Sequence, residues 1–211
     1  MLPWLEASGG SLAVTTYNAG KLALFSAPRG KLVSRVWRFP RPMGMAYNGA
    51  TFALAVREHI VRFRPAAQLP GRQELEASGP WPSAGRTRAF VVDQLYRTGR
   101  LDAHDCALAG DRLYFANTRY NCLARPSDRV SFLRSWQPPF ISRMIPKDCC
   151  HLNGLGVRNG RVAMATAFGE IDRPRGWREL DRFPSGVVID GRASEVVLRR
   201  LTMPPSRRWH R

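Results

Sequence analysis

The stretch "HLNGLGVRNGRVAMATA" (His151–Ala167) has two readings, and the choice between them decides the fold. Preceded by Cys149 and Cys150, its histidine looks like the start of a metal motif. The remainder reads as a hairpin: a short apolar run, an Asn159-Gly160 turn and a second apolar run. Two other stretches share that order. "RPMGMAYNGATFALAV" (Arg41–Val56) and "DAHDCALAGDRLYFAN" (Asp102–Asn117) each have a polar lead-in, a short strand, a turn at Gly49 or Gly110 and a second strand. Gly44, Asp105 and Gly154 hold matching places in the three stretches. Their separations fit propeller blades of roughly 40 to 50 residues with loop insertions. A further lead-in, "PPSRRWHR" (Pro204–Arg211), begins at the right distance.

The rest of the chain supports this reading. Eighteen glycines and 16 prolines interrupt it too often for long helices, and only Pro70–Ser78 reads as a short one. Short β-branched or aromatic-rich runs abound, each bounded by turn residues. The second unit is predicted to hold strands at about 43–47, 51–56, 59–64 and 89–96. The third is predicted at about 105–108, 112–117, 120–124 and 130–135, and the fourth at about 154–157, 161–167, 186–190 and 195–201. The first unit offers about 11–17, 21–26 and 32–39, with its innermost strand missing or placed in the weak segment before Gly9. We expect an all-β, β-propeller-like fold of about four four-stranded blades. Residues 1–211 form one partial domain, an incomplete propeller in preference to a four-bladed ring sealed by Arg207–Arg211.

Bulk properties narrow the function classes. The chain has 211 residues, 44% apolar and 23% charged, as ordinary globular proteins do. Without a long apolar run or a signal-peptide pattern, the expectation is a cytoplasmic protein with no membrane partner. The net charge is +17, almost all from arginine, since Lys21, Lys31 and Lys147 are the only lysines. Such a field attracts anions. The arginines are scattered and do not alternate with aromatics, so nucleic-acid binding is not expected. Cys106, Cys122, Cys149 and Cys150 form no C-x-x-C pair, and a disulfide framework is not expected.

Several stretches also resemble a known family. "SLAVTTYNAGKL" (Ser11–Leu22), "FPRPMGMA" (Phe39–Ala46), "TGRLDAHD" (Thr98–Asp105), "YFANTRYNCLA" (Tyr114–Ala124), "PPFIS" (Pro138–Ser142), "CHLNGL" (Cys150–Leu155) and "MPPSRRWH" (Met203–His210) carry the resemblance. They are similar to the motifs of the bacterial domain of unknown function DUF4915, also described as conserved hypothetical protein CHP03032. The resemblance spans nearly the whole chain and implies a propeller-like fold without an assigned activity. Family members continue past the "RWH" motif, which implies that this chain is truncated.

In a propeller the loops entering each innermost strand and the loops joining second to third strands share one face, at the mouth of the channel. That geometry would gather Asp102, His104, Asp105, Asn117, Arg119, His151, Asn153 and His210, with His104, His151 and His210 at corresponding corners. The first expectation is a binding scaffold for a small ligand or protein partner. Trp37, Trp136, Trp177 and Trp209 are candidate anchors, although most are expected to pack between blades. The alternative is a metal-assisted hydrolase resembling gluconolactonase-type propellers, with Asp102, Asp105 and Asn153 holding a divalent cation. Asn153-Gly154 as a tight turn, and the aspartates as caps on backbone amides, are the competing structural readings. A zinc site from His104, Cys106, Cys122, Cys149, Cys150 and His151 has enough donors but lacks the spacing of known zinc modules. Catalytic residues and substrate are left open.

Overall fold

The computed structural model describes residues 1–66, 89–181 and 183–204. The predicted helix at Pro70–Ser78 therefore lies outside the described residues, as do Arg207, Trp209 and His210. The fold is mostly β, in four antiparallel sheets that run as simple meanders. The first sheet has three strands: β1 (Ser11–Thr16), β2 (Lys21–Ser26) and β3 (Val33–Arg38). The second holds β4 (Met45–Tyr47), β5 (Phe52–Ala55), β6 (His59–Pro65) and β7 (Phe90–Arg97). The third holds β8 (Ala103–Ala109), β9 (Arg112–Asn117), β10 (Cys122–Arg125) and β11 (Leu133–Trp136). The fourth holds β12 (Leu152–Arg158), β13 (Arg161–Ala167), β14 (Gly186–Asp190) and β15 (Glu195–Leu201).

The sequence-predicted strands match these elements closely, and the first sheet has three strands among the described residues. Of the two alternatives for that sheet, the segment before Gly9 does not supply a strand. It is a helix, α1 (Leu2–Ser8), with Pro3 in its first turn and Gly9 closing it in the left-handed conformation. Its Leu5 is buried, which gives this seven-residue helix the tertiary support that its length alone cannot supply.

The hairpins follow from their turn residues. At the β12–β13 corner Asn159 and Gly160 take φ of 50° and 73°, as the primed turn of a two-residue loop requires. Three apolar clusters then hold neighbouring sheets together. Leu22 meets Leu54 and Val61 between the first and second sheets. Phe115, Ile60, Cys106 and Cys122 fill the space between the second and third. Leu123, Leu152, Leu155 and Ile189 fill that between the third and fourth. Burial of Phe115 alone stabilises by about 1.5–3 kcal/mol. The innermost strands are neighbours in turn, with β8 packed against both β4 and β12. This is the radial order of a propeller.

The lead-ins repeat in backbone detail. Arg41, Asp102 and His151 all sit in the left-handed region, at φ of 50°, 50° and 51°. Each follows a carbonyl that accepts an amide from just past the second strand of its own sheet. These bonds run from Arg57 to Pro40 (2.7 Å), Arg119 to Leu101 (3.1 Å) and Phe168 to Cys150 (3.0 Å). Three non-glycine residues held at this uncommon φ indicate a conformation imposed by the repeat. This register corrects one expectation. His104 matches Asn153, and His151 matches Asp102, so the two histidines are offset by two positions and do not occupy corresponding corners.

Candidate functional site

Offset or not, the two histidines meet. Their ring centroids are 4.7 Å apart, edge to face at 76°, at the junction of the third and fourth sheets. His104 stands on β8 and is partly buried. Its Nδ1 lies 2.7 Å from the carbonyl oxygen of Asp102 and 2.8 Å from Oγ1 of Thr118. A carbonyl only accepts, so Nδ1 carries the proton. The Thr118 hydroxyl gives its own hydrogen to the carbonyl of Leu152 at 2.5 Å, which leaves its oxygen to accept from the ring. Burial, followed by the neighbouring His151, lowers the pKa of His104. The neutral ring is therefore favoured, with its lone pair on Nε2.

His151 is fixed in the same sense by a different partner. Asp148 Oδ2 lies 2.7 Å from its Nδ1, and Oδ1 accepts its backbone amide at 3.0 Å. The same Oδ2 accepts the indole N–H of Trp177 at 2.8 Å. Two backbone bonds, Arg175 to Asp148 and Trp177 to Cys149, stitch this part of the β13–β14 loop onto the lead-in. The imidazole lies in an aromatic slot, 4.3 Å from Phe168 and 4.2 Å from Trp177 between centroids. Both histidines thus hold Nδ1–H on an oxygen and turn Nε2 away from it.

Phe168 and Trp177 also border a recess of about 200 Å³, completed by Arg178, Ser185 and Met203. The Arg178 guanidinium stands 5.2 Å from the Trp177 ring centroid, within cation–π range. A larger, shallower recess of about 480 Å³ lies between Phe140, Glu170, Glu195 and Arg199. There Arg199 already pairs with Glu170, at 2.6 and 3.1 Å, so its charge is spent locally.

The other predicted site residues have different tasks. Asp105 is 2% exposed and accepts the amides of Cys106 (2.8 Å) and Leu155 (3.0 Å), the latter across the sheet junction. Asp102 is exposed. Asn153 donates Nδ2 to the Pro204 carbonyl at 3.0 Å. Asn117 is fully buried; its Oδ1 accepts the Tyr120 amide, and its Nδ2 has no partner among the described residues. Arg119 contributes its amide to Leu101. Trp37 is 40% exposed, while Trp136 bridges to Ser194 of the β14–β15 turn at 3.0 Å.

The cysteines divide between two cores. Cys106 and Cys122 lie in the cluster between the second and third sheets, and Cys149 and Cys150 in the cluster between the third and fourth. Burial pushes the Cys122 thiol up to about 12 and Cys150 well above its ordinary range. These are buried hydrophobes held as thiols. Among the described residues, no three His, Cys, Asp or Glu side chains gather into a set that could hold a metal ion.

Sequence reasoning missed Asp148 and the pairing role of Trp177. The signal was present in "DCCH" (Asp148–His151), because an aspartate three residues before a histidine can cap that residue's amide and reach its ring.

Among solved structures, the chain is similar to the Neurospora crassa Pan2 WD40 domain, at 9% identity and a TM-score of 0.43, over 94% of this chain and 54% of that one. It is also similar to Citrobacter koseri AztD, at 16% identity and a TM-score of 0.34, over 93% of this chain and 47% of that one. The apo form of AztD matches at 13% identity and a TM-score of 0.30, over 92% and 47%. The chain thus spans about half the length of the solved structures it matches. No curated protein matches it. One family model covers every residue: the chain belongs to the DUF4915 family, a domain of unknown function, over residues 1–211.

Proposed function

We propose that this propeller-like chain is a binding scaffold for a small organic anion, held at the mouth between the third and fourth sheets. One observation carries the reading. Phe168 and Trp177, which clamp the His151 ring, also wall the recess shared with Arg178, Ser185 and Met203. An apolar wall with a few convergent polar groups is the usual make-up of a ligand site. Arg178 supplies the charge for a carboxylate or phosphate, and the indole supplies a flat face. The net charge of +17 raises the local concentration of anions.

The test is a thermal-shift and calorimetric screen of metal-free protein with phosphate, citrate and benzoate. The reading expects a saturable response to at least one, lost in Arg178→Ala and weakened at least tenfold in Trp177→Ala. No response to any probe, or a response indifferent to both substitutions, would reject it. A second reading is a hydrolase in which His151 acts as base and Asp148 orients it. It is favoured by the Nδ1–carboxylate contact of 2.7 Å, the arrangement that poises Nε2 to take a proton. Hydrolysis of a simple lactone, abolished in His151→Gln, would support it, and absence of turnover would remove it.

A further inference from the structure

We infer that the imidazoles of His104 and His151 form a binding site for a late first-row divalent cation, an open site in which Nε2 of each ring is the donor. The inference rests on reading this mouth as a ligand site, and names a different ligand and different atoms from the anion recess. Three observations lead to it.

The first is tautomeric. A histidine that binds a metal through Nε2 nearly always gives its Nδ1–H to a carboxylate or a backbone carbonyl. That partner fixes the ring and raises its basicity. Here both versions occur side by side: Asp148 carboxylate for His151 and the Asp102 carbonyl for His104, each at 2.7 Å. The Asp148 carboxylate is itself held by the Trp177 indole and the His151 amide, so the ring it orients is fixed from two sides.

The second is spacing. A cation bound by imidazole nitrogen lies about 2.0–2.1 Å from it, hence roughly 3.2 Å from the ring centroid. Two rings in adjacent coordination positions then have centroids about 4.5 to 5.2 Å apart, for angles from square to tetrahedral. The observed separation is 4.7 Å. The large interplanar angle of 76° keeps the rings from stacking face to face.

The third is the free nitrogen. With Nδ1 of each ring hydrogen-bonded to an oxygen that accepts its proton, Nε2 is the position left to donate its lone pair to a cation. The site is open because no third His, Cys, Asp or Glu among the described residues completes the set. Water or an exogenous ligand would fill the remaining positions. The cysteines do not contribute, since all four are buried in the sheet junctions.

The experiment uses untagged full-length chain stripped of metal, titrated with Cu²⁺ and followed by electron paramagnetic resonance, with Ni²⁺ calorimetry in parallel. The expected result is one saturable site with hyperfine structure from two imidazole nitrogens. His104→Gln or His151→Gln should reduce the signature to one nitrogen and weaken binding at least tenfold. Asp148→Asn keeps both donors and should weaken binding about 10- to 100-fold, the usual effect of an outer-shell partner. Arg178→Ala should leave metal binding unchanged, which separates failure here from failure of the anion site. Circular dichroism of each variant checks the fold, and the wild-type spectrum is informative if a variant unfolds. No saturable uptake, a sulfur signature, or binding indifferent to both histidines would overturn the inference.

Discussion

Between the second and third sheets, Gly44 lies so close to the next inner strand that an added Cβ would stand 2.6 Å from the Asp105 carbonyl carbon. Polar side-chain links at that junction among the described residues include Asn48 to the Gly110 carbonyl, Gln94 to Asp128, and the exposed Arg100–Glu58 pair. Between the third and fourth sheets the same frame is used differently. There Asp105 reaches the Leu155 amide, Thr118 reaches the Leu152 carbonyl and Asn121 reaches the amides of Cys149 and Cys150. The first junction is marked by a close backbone fit at Gly44 and the second by buried side-chain hydrogen bonds. Among the described residues, it is the second that brings imidazoles, a carboxylate and an indole together. A repeated fold therefore offers the same lead-in at three of the sheets, and side chains where two of them meet make the candidate site.

Substitutions that exchange the two strategies should have the largest effects. Gly44→Ala forces backbone against backbone and should cost about 3 kcal/mol or more in urea unfolding. Asp105→Ala removes the buried acceptor of the Cys106 and Leu155 amides, for a loss of about 3 kcal/mol. If either variant unfolds at the wild-type midpoint, the description of its junction is wrong. Asn121→Ala should cost about 2 kcal/mol, because one carbonyl oxygen serves two buried amides.

The smaller effects sharpen the contrast. The pKa of His104 is lowered in the folded state, so the unfolded chain takes up that proton first. Its contribution is complete above about pH 6.5 and is lost as pH falls below that, until the lowered folded value is passed. Urea midpoints measured from pH 8 to 5 should therefore decline, and His104→Gln should flatten the decline. His151, Asp148 and Asp102 surround the ring and set the background. At the other junction Glu58→Ala removes only an exposed ion pair and should change stability by less than about 0.5 kcal/mol.

Much of this architecture was legible in the sequence. The alternation of apolar runs and the turns at Gly49, Gly110 and Gly160 specify hairpins by local physics, and the repeat specifies their stacking. Residues 2–8 were not legible, since "LPWLEAS" is too short to announce a helix without its tertiary contact at Leu5. The site was half legible. Position in the repeat drew attention to His104 and His151, but not to the offset between them. Asp105 read as a cation ligand because its type suits one, whereas its burial and its two amide partners are decided by the neighbouring strand. Asp148 and Trp177 come from segments outside the repeat, where no periodicity points to them.

The central claim is that two histidines far apart in sequence are neighbours, each with its proton on Nδ1. Long-range ¹H–¹⁵N correlation spectra of ¹⁵N-histidine-labelled protein at pH 8 test it directly, together with ring-to-ring Overhauser contacts. The account predicts the Nδ1–H tautomer for His104 and His151, with cross-peaks between their rings. The Nε2–H tautomer at either residue, or rings without mutual contacts, would contradict it.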